Sequence, residues 1–329
     1  MSVTVRTWCR ADLAGGTLDI WPLGLFHPGA RTVNLALDLA VTVQLSPAEK
    51  GYRVVQGESV LEASSIAELA AAPEGALVGV VATALDLPPF AAVLASDSPR
   101  GGGLGASSAM AVGLITAAEE AFDLPLSSAQ KRVHLARDLE ARLMGLPTGI
   151  QDHYPALLGG ALAIVSAPGG ERVRSLEVDL EALGRSLLVV YSGQSHFSAG
   201  QNWQVVRRRL DGEAEVTQLF AGIAEVSAAL PAVLETGDWQ RAGELVAREW
   251  SYRRQLAAGV SIPQIETLLD RASSVGAWGG KACGAGGGGC LIVLCPPDRR
   301  AAIAEALTEA GGQVLRAAPA AGPATVSKT

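Results

Sequence analysis

The chain has 329 residues, of which 49% are hydrophobic, and its formal net charge is −7. At roughly 100–200 residues per domain, this length predicts two domains. The acidic balance and the scattered basic residues disfavour nucleic-acid binding, which needs a concentrated basic surface.

The start of the chain, MSVTVRTWCR, lacks the apolar core that a signal peptide requires. No window approaches the ~18 apolar residues typical of a membrane-spanning helix. We therefore expect a cytoplasmic protein without a membrane partner. The cysteines have no CxxC spacing, which predicts reduced, mostly buried thiols instead of a disulfide framework; they are Cys9, Cys283, Cys290 and Cys295.

The first half of the chain predicts several strands and two long helices. The strand candidates are apolar or alternate apolar with polar residues; they span 3–10, 30–46, 52–56, 91–95 and 161–166. Residues 105–122 are rich in small and apolar side chains and are predicted to be helical. Ser127 or Ser128 is placed to cap the next helix, which we expect to end near Met144.

A second unit begins near residue 185. It opens with an apolar strand at 187–191 and continues with four helical segments, 199–211, 213–236, 238–257 and 263–274. A glycine-rich loop from 277 leads into a strand at 290–295, followed by a helix at 298–311 and a strand at 313–317. We expect the Ala/Pro-rich tail beyond 317 to be loose.

Irregular mixing of strands and helices indicates an α+β fold, in contrast to a doubly wound sheet. The change of character near residue 180 predicts two domains, spanning 1–180 and 181–329.

The most informative segment is SPRGGGLGASSA (98–109), a glycine-dense loop that leads directly into a helix. Glycines let backbone N–H groups approach a phosphate closely, and a helix N-terminus adds unpaired donors and a positive dipole end. Ser107 and Ser108 add hydroxyls where a metal-bound triphosphate would lie. The segment therefore predicts a phosphate-binding loop.

Other interpretations of the glycine-rich segments fit less well. A dinucleotide-binding fingerprint needs a strand just upstream and an acidic residue at the end of a second strand, but residues 97–99 interrupt the approach and Glu119 sits in a helical run. A Walker A loop needs a hydroxyl residue after its lysine, whereas Lys281 is followed by Ala282. A purely structural turn remains the alternative.

Three further segments carry candidate chemical residues. RADLAGGTLD (10–19) places an arginine before a glycine turn and an aspartate, GIQDHY (149–154) contains Asp152 twelve positions after Glu140, and KACGAGGGGC (281–290) contains five glycines. So many glycines are costly in backbone entropy, and close packing against the phosphate loop would compensate for this cost.

In order and spacing, the four segments resemble the motifs of the GHMP kinases (galactokinase, homoserine kinase, mevalonate kinase and phosphomevalonate kinase). The Gly-Gly turn before Asp19 resembles the sugar branch that contains D-glycero-D-manno-heptose 7-phosphate kinase and L-fucokinase. The resemblance implies an N-terminal domain like ribosomal protein S5 domain 2 and a ferredoxin-like C-terminal domain, with nucleotide and acceptor bound between them. It also implies ATP and Mg²⁺ as cofactors.

Residue roles follow from the resemblance. Asp152 is the catalytic base or orienter of the acceptor hydroxyl, and Arg10 is the basic residue beside it. Mg²⁺ is assigned to Ser107 and Glu140, with Ser108 as the alternative if the alignment slips by one. The residues assigned to ATP are Pro99, Gly101, Gly102, Gly103, Leu104, Gly105, Ala106, Ser107, Ser108, Gly286 and Gly287. The residues assigned to the acceptor are Gly15, Gly16, Asp19, Asp152 and His196.

Two of these residues also have a possible structural role without any function in catalysis or binding. Asp19 is also placed to act as a turn or capping residue, and Glu140 suits a solvated helix face paired with Arg137 or Arg142. The heptose-kinase-like segment commonly has arginine where this chain has His196, so a phosphate on the acceptor stays open.

The resemblance to the sugar branch implies a small-molecule sugar substrate phosphorylated at its anomeric oxygen. The remaining alternatives are a mevalonate- or homoserine-type acceptor and a non-catalytic sensor on the same fold. The sequence leaves the sugar, the position phosphorylated and the oligomeric state open.

Overall fold

The computed structural model describes residues 1–195 and 199–329. The strands in this part of the chain are β1 (Val3–Ala14), β2 (Arg31–Pro47), β3 (Tyr52–Gln56), β4 (Ser59–Ala63), β5 (Phe90–Ser96), β6 (Ala161–Ala167), β7 (Gly170–Ser175), β8 (Leu187–Tyr191), β9 (Gly279–Ala282), β10 (Cys290–Leu294), β11 (Gln313–Val314) and β12 (Thr325–Lys328).

The helices of the described residues are α1 (Ile66–Ala71), α2 (Ala76–Ala84), α3 (Ala106–Ala121), α4 (Ala129–Met144), α5 (His153–Leu158), α6 (Leu180–Arg185), α7 (Ala199–Leu210), α8 (Ala214–Glu235), α9 (Trp239–Arg253), α10 (Pro263–Ser274) and α11 (Arg300–Glu309). Ser128 caps α4 by accepting a hydrogen bond from the backbone of Lys131. This is one of the two predicted caps. A 3₁₀ turn covers Leu23–Phe26.

The first sheet is built around the long strand β2. Its strand order is β12-β1-β2-β5-β3-β4, and β6 also pairs with β2 and carries β7 on its other side. Residues Arg31–Leu35 of β2 pair with β6, whereas Val41–Pro47 pair with β5. β2 therefore pairs with two strands along the same edge, with β6 in its first part and with β5 in its last part.

Helix α3 packs across β1 and β2 and is buried over almost its whole length. Its small residues permit this close approach, because a Cβ at Gly113 would already lie 3.2 Å from Val43 Cγ2. The buried packing fixes the start of α3, at Ala106, beside the end of the glycine loop.

The second sheet has the order β11-β8-β10-β9 with antiparallel pairing throughout. Helices α10 and α11 cover it through a separate apolar core that includes Val190, Ile265, Leu268, Val293 and Ile303. Two separate sheets, each packed with helices, confirm the predicted two-domain α+β fold. The first domain is not one continuous segment of the chain, because β12, near the C-terminus, pairs with β1 in the first sheet.

Two predictions about the chain are wrong. The tail beyond residue 317 is not loose throughout, because β12 pairs antiparallel with Val3–Arg6 of β1. The prediction that no apolar window approaches the length of a membrane span is also wrong. Among the described residues, α8 is the one helix that is long and apolar enough to cross a membrane, with a mean hydropathy of 1.4. Core helices pass the same test, and α8 buries Phe220, Ile223 and Leu230 within the protein.

Candidate active site

Arg10 and Asp152 form the centre of the site. The Arg10 guanidinium donates from Nε and Nη2 to Asp152 Oδ1, at 2.9 and 2.6 Å, and from Nη1 to the Gly103 carbonyl at 2.7 Å. The Arg10 backbone N–H also donates to the Leu104 carbonyl at 2.8 Å. Strand β1 therefore ties the predicted catalytic aspartate to the predicted phosphate loop.

The electrostatics of this pair favour the charged form of the Arg10 guanidinium. Burial opposes the charge on Arg10, but the carboxylates of Asp152 and Asp12 raise its pKa above the ordinary value. Asp152 is partly open, with a quarter of its side chain exposed (25%). No described residue forms a hydrogen bond with its second oxygen, Oδ2, which is thus free for an acceptor hydroxyl.

The glycine loop needs its glycines. Gly103 and Gly105 have φ of +69° and +72°, a backbone region that disfavours other residues. A Cβ at Gly105 would lie 3.0 Å from the Cβ of Asp152. No side chain caps α3, so the N–H groups of its first turn are available for an anion.

The third glycine segment packs on this loop, as its composition predicts. Cys290 N–H donates to the Gly102 carbonyl at 2.8 Å, and Gly284 and Gly289 approach the carbonyls of Gly103 and Gly102 so closely that a Cβ would lie 3.1 and 2.8 Å away. Glycine at these two positions therefore permits the contact between the segments.

Gly286 and Gly287 lie elsewhere, against the carbonyl of Val260 in the loop after α9. A Cβ at Gly286 would be 2.2 Å from that oxygen, and the Gly287 N–H donates to it at 2.7 Å. That donor is consequently engaged within the protein. A role of these two glycines in nucleotide binding stays a prediction.

Glu140 is buried and holds both candidate serines. Ser107 Oγ donates to Glu140 Oε1 at 2.9 Å, Ser108 Oγ donates to Oε2 at 2.7 Å, and His153 Nε2 lies 2.7 Å from the same Oε2. Burial opposes ionisation, but the contacts with His153 and the two serines lower the pKa of Glu140. The alternative of a solvated helix face paired with Arg137 or Arg142 is wrong, since the Glu140 side chain is only 7% exposed and Arg137 pairs with Asp138.

These groups fit a Mg²⁺ ion. Ser107 is exposed whereas Ser108 is buried, so Ser107 offers the more accessible hydroxyl. A hydroxyl and an ionised carboxylate are hard oxygen donors of the kind Mg²⁺ prefers, and the ion usually takes its other ligands from phosphates and water. In the described part of the chain, no group of three or more Asp, Glu, His or Cys side chains is arranged to hold a metal ion.

Asp19 anchors the segment that carries Asp152. Its Oδ2 accepts hydrogen bonds from the N–H groups of Ile150 and Gln151, at 2.6 and 2.9 Å. A Cβ at Gly149 would lie 1.9 Å from this oxygen, so the position requires glycine. Asp19 Oδ1 is buried and has no partner among the described residues. Asp19 is thus both a structural residue and a carboxylate with an unused acceptor.

Burial raises the pKa of Asp19, the charge of Asp152 adds to the rise, and the two backbone hydrogen bonds oppose it.

The turn at Gly15 and Gly16 is tightly enclosed. A Cβ at Gly15 would lie 1.9 Å from the Arg31 carbonyl of β2, so glycine here serves internal packing. Around Gly16, the nearest side-chain atoms belong to Asp12, Arg253 and Gln151, at 3.0 to 3.3 Å from a built Cβ. His196, the remaining acceptor-binding prediction, lies outside the described residues.

Sequence reasoning missed several residues. His153 contacts Glu140, and the Oε1 atom of Gln151 is buried without a described partner. Both residues are sequence neighbours of Asp152, and this proximity is the signal by which they could have been found. Glu249 and Arg253 lie outside the four motif segments, and Asp12 lies inside the segment 10–19 but has no role there by the resemblance. All four cysteines are buried and unpaired, as expected.

Comparison with protein-family models gives two matches. The model for the GHMP kinase N-terminal domain matches residues 66–160, and the model for the GHMP kinase C-terminal domain matches residues 229–313. Together they cover more than half of the chain. This chain belongs to the GHMP kinase superfamily. The predicted family and fold are confirmed.

Individual GHMP kinases resemble the chain at low identity. D-glycero-α-D-manno-heptose 7-phosphate kinase from Campylobacter jejuni is 27% identical over 223 residues, which span 67% of this chain and 65%, less than two thirds, of that relative.

Two solved GHMP structures show the same fold. A D-glycero-D-manno-heptose 1-phosphate kinase from Bacteroides thetaiotaomicron has 21% identity and a TM-score of 0.79, with 99% of each chain covered. Lactococcus lactis galactokinase with galactose has 15% identity and a TM-score of 0.83, covering 100% of this chain and 95% of that one.

Proposed function

We propose that this GHMP protein is an ATP- and Mg²⁺-dependent kinase that phosphorylates a hydroxyl of a sugar or sugar phosphate. The observation that carries the proposal is the position of Asp152. Its Oδ1 is held by Arg10, and its Oδ2 is free of described partners and lies against Gly105 of the glycine loop, at the start of α3. A base, a cation and an anion-binding helix end are the parts that phosphoryl transfer requires.

ATP would lie with its phosphates at the glycine loop and the first turn of α3. Ser107 and Glu140 would hold Mg²⁺, which when bound neutralises charge on the phosphates. The low pKa of Glu140 supports this assignment, because the carboxylate is then ionised at neutral pH. A cytosolic nucleotide supply suits this reaction, so we place the enzyme in the cytoplasm.

In the proposed reaction, the acceptor oxygen attacks the γ-phosphorus while the bond to the β-phosphate oxygen breaks, and ADP leaves. The acceptor proton passes to Asp152 Oδ2, or is oriented by it if the transition state is loose. Arg10 keeps Oδ1 engaged and so fixes the direction of Oδ2. Its charge also favours the developing alkoxide.

The sugar assignment rests on unused hydrogen-bond acceptors. Asp19 Oδ1 and Gln151 Oε1 are both buried without a described partner, and a buried acceptor of this kind is costly unless a ligand satisfies it. Together with Asp152 Oδ2 they suit an acceptor with several hydroxyl groups. The named activities of the heptose phosphate kinase relatives and of galactokinase support the same class, and we propose the anomeric hydroxyl as the site.

An acceptor screen tests the proposal. ADP release would be measured with aldoses, heptose and hexose phosphates, mevalonate and homoserine, and phosphorus NMR would identify the product. Turnover confined to mevalonate or homoserine refutes the sugar class. A sugar phosphate that is stable to mild acid refutes only the anomeric position, and a complete lack of turnover favours a sensor.

A pair of variants then tests the unused acceptors. Asp19→Asn and Gln151→Leu keep the side-chain size but change what is offered to a sugar hydroxyl. We expect either change to raise KM for the sugar roughly tenfold, about the effect of one lost hydrogen bond, with KM for ATP nearly unchanged. Equal effects on both substrates would make these residues structural only.

A further inference from the structure

Four charged side chains form a closed cluster beneath the Gly15–Gly16 turn. Asp12, Glu249, Arg253 and Lys281 are each at most 2% exposed. Lys281 Nζ lies 2.5 Å from Asp12 Oδ2 and 3.7 Å from Glu249 Oε2, and Arg253 Nη2 donates to Glu249 Oε1 at 2.5 Å. Two acids thus balance two bases in a space that water does not reach.

The Glu249–Arg253 pair holds the backbone of the turn. Glu249 Oε1 accepts from the Gly15 N–H at 3.2 Å, and Arg253 donates from Nη2 to the Gly16 carbonyl at 2.8 Å and from Nη1 to Thr17 Oγ1 at 3.4 Å. Both acid and base lie on α9, more than 230 residues further along the chain. The turn is therefore positioned from the second half of the chain.

The other half of the cluster reaches the nucleotide side. Lys281 donates to the backbone carbonyl of Asp12 at 3.1 Å, and Asp12 Oδ1 accepts from the Gly284 N–H at 2.8 Å. Gly284 in turn packs against the carbonyl of Gly103 in the glycine loop. One charge network thus contacts both the turn and the segment that supports the phosphate loop.

We propose that Glu249 and Arg253 are positioning residues that hold the Gly15–Gly16 turn, and through it Asp19, in register with Asp152. Buried ion pairs are weak evidence for stability, because apolar residues of similar volume often serve as well. Apolar residues would leave the Gly15 N–H and the Gly16 carbonyl unpaired. Polar side chains are therefore required here because they form hydrogen bonds with the backbone of the turn.

The test compares Arg253→Lys with Arg254→Lys in the full-length protein. Arg253→Lys keeps the charge beside Glu249 but loses the forked donor to Gly16 and Thr17. Arg254 is the adjacent, largely exposed residue, paired with Glu266 at 2.8 Å, and serves as the matched control.

Amide hydrogen exchange in the peptide covering 13–20 is the first measurement. We expect several-fold faster exchange there in Arg253→Lys, with exchange in β5 and α3 unchanged, and no change in Arg254→Lys. Unchanged exchange at the turn, or the same increase in both variants, overturns the proposal.

The second measurement rests on the proposed kinase function. With the acceptor identified in the screen, Arg253→Lys is expected to raise KM for that acceptor at least fivefold more than KM for ATP. Equal changes overturn a positioning role. If no acceptor is turned over, the proposed function fails while hydrogen exchange still decides the role of Arg253. Should Arg253→Lys fail to fold, Glu249→Gln is measured instead, because it removes the charge that binds Arg253 and keeps the size of the side chain. Faster exchange in 13–20 is again expected, and unchanged exchange there overturns the proposal.

Discussion

At the scale of single residues, the two oxygens of Asp152 have different environments. Oδ1 takes both hydrogen bonds from Arg10, whereas Oδ2 has no described partner and lies 3.3 Å from the position of a Cβ built on Gly105. The direction of Oδ2 is therefore fixed by the contacts of Oδ1. This division explains how a partly exposed aspartate can have a fixed direction.

Asp152→Asn is expected to lower kcat by about 10²–10⁴-fold, the usual cost of removing a general base. Nucleotide affinity should change little, because the amide keeps the size of the side chain next to the loop. Kinetics and ATP titration on the same preparation would measure both effects. A variant that keeps more than about a tenth of kcat contradicts the catalytic role.

Ser107 and Ser108 both bind Glu140, yet only Ser107 is exposed. Ser107→Ala should raise the Mg²⁺ concentration needed for half-maximal rate, and Glu140→Gln should do the same because it removes the ionised oxygen ligand. Ser108→Ala, the matched control, should mainly lower thermal stability. The reverse result for the two serines would move the metal ligand to Ser108.

At the scale of elements, the glycine loop is confined from two sides. β1 lies beneath it through Arg10, and the third glycine segment covers it through Gly284 and Gly289. A side chain has little room in this layer, so the shape of the loop is set by its packing as much as by its own sequence.

Gly105→Ala tests this confinement, with Gly145→Ala as control. Gly105 precedes α3 with a φ of +72°, and Gly145 follows α4 with a φ of +65°. Alanine at either position therefore causes a similar backbone strain. Only at Gly105 would the added Cβ meet a neighbour, Asp152 at 3.0 Å, while Gly145 faces open space. We expect both variants to lose about 1 kcal/mol of stability and Gly105→Ala alone to lose activity, by at least tenfold. Similar activity in the two variants would contradict the argument.

Much of this architecture is predictable from the sequence because the relevant signals are local. Apolar or alternating runs locate β2, β3 and β8 nearly to the residue, and the resemblance in motif order and spacing assigns Arg10, Ser107, Glu140 and Asp152 to one site. Such signals depend on a few neighbouring positions and a familiar order along the chain.

Long-range partners leave no comparable signal. Glu249 and Arg253 lie on an amphipathic helix, where charged residues are ordinarily solvated, and their burial follows only from the docking of α9 against β1 and β9. The strand β12 is similar, because its side chains are all exposed and its pairing involves backbone alone. Neither feature can be inferred from the composition of the segment itself.

At the scale of the whole molecule, three of the contacts between the two halves of the chain lie along β1. α9 contacts the Gly15–Gly16 turn, the third glycine segment contacts the phosphate loop, and β12 returns from the second half to the edge of the first sheet. The first two contacts lie at the proposed active site, whereas the third lies at the opposite end of β1. Stability and activity are thus separable by removing β12.

Deletion of residues 325–329 is expected to lower stability and leave catalysis largely intact. The deletion removes the pairing of β12 with Val3–Arg6 and the ion pair of Lys328 with Glu120 at 2.9 Å, a loss of about 1–4 kcal/mol if two to four net hydrogen bonds disappear. Arg10 lies further along β1, where β2 and the glycine loop still hold it. Thermal unfolding and kcat below the transition would be measured on both proteins.

Val326→Ser is the control for this deletion, because it changes an exposed side chain (42%) but keeps the backbone pairing, and its unfolding temperature should match that of the intact chain. The uncovered edge of β1 should also promote association between molecules, which size-exclusion chromatography would detect as a concentration-dependent shift. An unchanged unfolding temperature in the deletion variant would mean that β12 contributes no stability. A fall in kcat as large as that of Asp152→Asn would mean instead that the edge of the sheet and the catalytic residues are coupled through β1.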